Sequence, residues 1–149
     1  MPLKTTITED LAEINFGILE GFSGKKAREK YPDLFKTYHE KPSQTYFPKG
    51  EHVTQAYKRV GRAIDEILAA HDLNENILIV SHGGSMAFMF IHIFKFDLDT
   101  MFHAIRHHNS GLSIIEWEKP DKPSIICIND ISHLKNEHAQ RLKESPPRF

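Results

Sequence analysis

With 149 residues, 40% of them hydrophobic and 26% charged, the chain has the length and mixture of one globular domain, able to bury roughly two thirds of its unfolded surface. A net charge of −1 argues against strongly basic nucleic-acid or membrane-surface binders, the opening MPLKTTITED lacks the apolar core of a signal peptide, and no apolar run is long enough to span a bilayer. The single cysteine, Cys127, excludes an internal disulfide and points to a reducing, cytoplasmic setting.

Residues 7–21, ITEDLAEINFGILEG, mix apolar and acidic side chains with no clean period, and Gly17 and Gly21 favour short looped or extended pieces. Ser23 is placed to cap a short helix, GKKAREKY, ended by Pro32, with a second turn or two over 33–39. Its cluster of Lys25, Lys26, Arg28 and Lys30 reads as a solvated face. Two prolines and a glycine in EKPSQTYFPKG (40–50) predict an exposed loop.

The clearest helix follows. Val53, Tyr57, Val60, Ile64, Ile67 and Leu68 recur at three- and four-residue steps as one apolar stripe. Gly61 inside it costs about 1 kcal/mol against alanine, so close packing is its expected reason. After a turn at 72–76, ILIVS (77–81) is apolar on both faces, the pattern of a strand in the middle of a parallel sheet. An apolar helix is predicted over 85–94. LSIIEW (112–117) and SIICINDI (124–131), separated by EKPDKP, predict two strands joined as a hairpin. No repeat or linker divides the chain: 1–134 reads as the core of a single domain and 135–149 as a polar tail.

The stretch VSHGGSM (80–86) carries the chemistry. Open α/β sheets bind ligands at the C-terminal ends of their parallel strands. A helix starting there offers unpaired N–H groups and a positive dipole end, both suited to an anion such as phosphate. Gly83 and Gly84 let backbone approach that anion, and His82 can stabilise it as imidazolium or move a proton near neutral pH. The plainer alternative is a tight turn whose histidine merely ends the strand.

Taken in order, LAEINFGILEG (11–21), PKGEHVTQAYKRV (48–60), ILIVSHGGSM (77–86) and HNSGLSIIEW (108–117) resemble the histidine phosphatase superfamily, the phosphoglycerate-mutase-like proteins. The resemblance runs from about residue 8 to about residue 134. It implies a three-layer α/β/α sandwich, here expected to lack the first strand and the helices after it. It also implies phosphomonoester hydrolysis or phosphoryl transfer without metal or cofactor. In the family a histidine in an Arg-His-Gly motif becomes phosphorylated. His82 matches the second histidine, which stabilises the transferring phosphoryl group, with Gly83 and Gly84 beside it. Glu13 matches the proton donor of a Leu-x-Glu-x-x-Phe-Gly pattern, and Glu20, in LEG, matches a possible pocket residue.

Arg-His-Gly itself does not occur in the sequence. Its only Arg-His pair is Arg106-His107, followed by His108. The Ser-Pro-x-x-Arg-Ala segment that supplies a phosphate-binding arginine is absent as well. Ala87 stands where many members have arginine, His52 where serine is common and Leu19 where tryptophan is usual. His103 and His107, four apart, have a spacing open to metal binding but no neighbouring carboxylate, so a polar rim is preferred.

Two readings follow. One is a phosphomonoesterase or phosphomutase holding the second half of its active site, impaired for want of the phosphoacceptor. The other is a non-catalytic remnant that binds a phosphorylated small molecule, a phosphoprotein or another protein. In either, the apolar edge at 77–81 is expected to favour association with a second copy.

Overall fold

The computed structural model describes residues 4–134; the expected polar tail at 135–149 lies outside the described residues. Its scaffold is a pair of helices, α3 (Val53–Ala69) and α4 (Gly83–Phe94). The α3 stripe buries Val53, Val60 and Ile64 as the periodicity predicts, with Ile67 and Leu68 half-buried. Gly61 is the point of closest approach. A Cβ there would stand 2.6 Å from Nδ1 of His92 on α4, whose Nε2 meets Asp65 Oδ1 at 2.8 Å. His52 caps α3: its Nδ1 accepts from Thr54 N at 3.2 Å while Gln55 Oε1 accepts from His52 N at 3.0 Å. The imidazole thus does what a serine hydroxyl does at an N-cap.

Before this pair lie two short turns at Glu9–Leu11 and Gly17–Leu19, then α1 (Gly24–Lys30) and α2 (Pro32–Glu40). Ser23 Oγ accepts from Lys26 N at 3.3 Å, capping α1 as expected. Pro32 is the first residue of α2, where its missing N–H costs nothing. The segment 40–50 is less exposed than its prolines suggest. Pro42, Thr45 and Phe47 are buried, because Phe47 packs edge-on to Phe16 and Tyr38 and so closes the core over α2.

β1 (Leu112–Lys119) and β2 (Lys122–Asp130) form the predicted antiparallel hairpin, which is the only sheet among the described residues. α5 (Leu98–Met101) precedes it.

The expected strand at 77–81 is extended but joins no sheet. Among the described residues no main-chain hydrogen bond reaches it, and its one polar tie is Ser81 Oγ donating to Leu11 O at 2.6 Å. Leu78 and Val80 are 76% and 84% exposed while Ile79 packs on the core. A strand is defined by its neighbour, and these residues have none here.

Candidate functional site

The site is assembled by an irregular loop rather than by a regular element. All four carbonyls of residues 10–13 are claimed by side chains from elsewhere in the chain. Arg59 on α3 donates from Nη1 to Asp10 O and Ala12 O, both at 2.8 Å, and from Nη2 to Glu13 O at 2.9 Å. Ser81 takes Leu11 O, and the fully buried Ser85 donates to Ala12 O at 2.6 Å. Ser81 and Ser85 bracket the His82 turn, so the bonds that satisfy the loop also bring Glu13 to the start of α4.

Glu13 and the start of α4 meet directly. Glu13 Oε2 accepts from Gly84 N at 3.1 Å, and Oε1 accepts from Ile14 N at 3.0 Å. The carboxylate therefore sits on the N-terminus of α4, where the dipole favours negative charge. Gly84 is a glycine on its account: a Cβ there would lie 2.5 Å from Glu13 Oε1, whereas at Gly83 it would meet open space. Close approach of backbone to an anion, expected of both glycines, is thus realised at Gly84 by the chain's own carboxylate. His82 is exposed at the N-cap with extended backbone, and its ring makes no capping bond to the helix.

These residues lie at one end of an open groove of about 1430 Å³. Glu20 lines it, as do His39, His103 and Arg106. Tyr38 lies beneath, its phenol held far above its usual range by burial first and by the Glu13 charge second, so the hydroxyl stays protonated. The His39 and His103 rings stand 4.6 Å apart, and His103 Nε2 meets Tyr38 O at 2.7 Å. His39 is pushed below its ordinary value by burial, then by the charges of His103 and Arg28. His107 turns against Phe90 with its Nε2 buried and unpartnered, and burial lowers it from 6.5 to about 4. His103 and His107 share no helix face, because the chain leaves helix before His103. Among the described residues no cluster of three or more His, Cys, Asp or Glu could hold a metal ion.

The sequence of this site matches known proteins over nearly its whole described length. The family model of the histidine phosphatase superfamily (branch 1) matches residues 1–131. The chain belongs to this superfamily. Phosphoserine phosphatase 1 of Hydrogenobacter thermophilus is 30% identical over 129 residues, covering 86% of this chain and 60% of that protein. The solved structure of YhfR from Bacillus stearothermophilus superposes with a TM-score of 0.74 at 25% identity, over 85% of this chain and 61% of that one. The alpha-ribazole phosphatase from Shigella flexneri shares the fold, with a TM-score of 0.72 at 21% identity over 86% and 62% of the two chains. The fold is therefore the α/β, phosphoglycerate-mutase-like one expected. This chain spans about three fifths of the length of the two Hydrogenobacter thermophilus phosphoserine phosphatase relatives.

His82, Gly83, Gly84, Glu13 and Glu20 all line one groove. It adds Arg106, which the sequence offers only as a misplaced Arg-His pair. Arg59 and Glu51 also passed unmarked. A charged residue at the margin of an apolar stripe reads as solvated surface, and nothing local says that the carbonyls Arg59 holds lie 46–49 residues earlier.

Proposed function

We propose that this histidine phosphatase relative binds the phosphoryl group of a phosphomonoester at His82 and the first turn of α4, with Glu13 as the proton donor to the leaving oxygen. The observation that carries it is the convergence of an exposed imidazole, the Gly84 amide and the Glu13 carboxylate on one groove. In phosphoryl transfer the imidazolium and helix amides stabilise charge on the equatorial oxygens, and a positioned carboxylic acid protonates the departing alkoxide. Arg106 and His103 line the same groove and supply further donors for the ester's remainder. The phosphoserine phosphatase name of one relative supports a small phosphomonoester as substrate class.

The 149 residues contain no Arg-His-Gly, the motif that carries the phosphorylated histidine in the family, and a covalent route needs such a nucleophile held in line. We therefore expect the chain alone to hydrolyse para-nitrophenyl phosphate on the order of 10³-fold or more below a family member that carries the motif. Wild type and His82→Ala, assayed side by side, test this. A high turnover that His82→Ala abolishes would refute the impairment and require another nucleophile. Equal, negligible rates would support a binding role.

The exposed Leu78 and Val80 favour one further part of this reading, that the extended segment pairs with a second copy of the chain. Sedimentation velocity across a concentration series tests it. A single monomer species throughout would refute it.

A further inference from the structure

We propose that Arg59 is the positioning residue of this site: through the 10–13 loop it holds the Glu13 carboxylate on the N-terminus of α4. The inference rests on the reading of Glu13 as the site's acid.

The guanidinium has five N–H donors, and all five are used. Nε donates to Glu51 Oε2 at 3.1 Å and one Nη2 hydrogen to Glu51 Oε1 at 2.8 Å, a bidentate fork. The remaining three donors end on the carbonyls of Asp10, Ala12 and Glu13. No donor remains for a phosphate, so an arginine that sequence alone could assign to the ligand is committed to the protein. Glu51 is tied in turn. Its Oε1 accepts from Asn15 N at 2.8 Å, and its own N donates to Asn15 O at 3.1 Å. The clamp thus grips the chain on both sides of Glu13, whose carboxylate is then held by the amides of Ile14 and Gly84.

A solvent-exposed ion pair would be worth little. This pair is different in its surroundings, with both side chains 18% exposed, and in its direction, since most of its donors aim at loop carbonyls. Neighbouring Arg62 provides the contrast. It is well exposed and meets Asp10 Oδ2 at 2.7 Å, a contact with a side chain that does not fix the loop's path.

The test is amide hydrogen exchange on the full 15N-labelled chain, with no phosphate present. Gly84 N is the reporter, since its acceptor is Glu13. In Arg59→Met we expect Gly84 protection to fall at least tenfold while amides inside α4, such as Ile91, keep theirs. Arg59→Lys, which cannot reach five acceptors, should lie between, and Arg62→Met should match wild type. Where Arg59→Met does not fold, Glu51→Gln, which weakens the fork but keeps the arginine, should show the same selective loss at Gly84. Unchanged Gly84 protection, or a loss shared equally by all of α4, would overturn the assignment. Because no ligand is used, failure here leaves the phosphate-binding reading intact, and failure of phosphate binding leaves the clamp intact.

Discussion

Two irregular segments flank His82, and they are opposites. The loop at 10–13 has every carbonyl claimed, by Arg59, Ser81 and Ser85, although its sequence has no periodic pattern at all. The segment at 77–81 has the clearest strand composition in the chain, yet among the described residues no main-chain bond reaches it and three of its four aliphatics, Ile77, Leu78 and Val80, are exposed. Order at this site therefore follows from polar side chains delivered from distant parts of the chain, Arg59 of α3, Ser85 of α4 and Ser81 at the end of the extended segment. Intrinsic strand propensity contributes none of it, since propensity of that kind is realised only against a neighbour.

The strongest way to break the contrast is to remove the clamp. Arg59→Met leaves Glu51 half-buried without its arginine and strands the carbonyls of Asp10 and Glu13, while Ala12 O keeps Ser85, so stability should fall by about 3 kcal/mol. For a chain of this size that is roughly 6–12 °C in Tm by calorimetry.

A second expected effect comes from acid. His107 is held at about 4 by burial, below its usual 6.5. Between those values the unfolded chain carries the extra proton, so stability should decline as pH falls from 6.5 towards 4. Its share is at most about 3 kcal/mol. Urea unfolding at several pH values should show a shallower slope in His107→Phe than in wild type.

A smaller effect is expected on ligand affinity. Glu13 places a negative charge at the amide that an incoming phosphate would use, so Glu13→Gln, which removes that charge, should bind inorganic phosphate about fivefold more tightly, equivalent to about 1 kcal/mol at a helix N-terminus. Isothermal titration should show affinity rising in this variant. The least effect belongs to the other segment. Leu78→Ser with Val80→Ser should change monomer stability by no more than about 0.5 kcal/mol, as expected for exposed positions. The same change should abolish self-association in sedimentation.

Much of this was legible in the sequence, and what was not has a physical reason. The α3 stripe, the Ser23 cap, the β1–β2 hairpin and the close packing at Gly61 all depend on local spacing, which a sequence displays directly. Glu13 could be paired with the His82–Gly84 turn only through family resemblance, because the contact joins Glu13 to Gly84 across 71 residues and is made by one backbone amide. The clamp left no trace, since an arginine bonded to carbonyls needs no particular residue type at its acceptors. The two glycines read as room for a bound anion, whereas the group packed against Gly84 is Glu13 and Gly83 faces open space.

The central claim is that the groove at His82 and α4 takes a phosphoryl group. Titrating the 15N-labelled chain with inorganic phosphate tests it most directly. The account predicts saturable shifts of the Gly83 and Gly84 amides that disappear in His82→Ala. Shifts confined to other surfaces, or the same Gly84 response in His82→Ala, would contradict it.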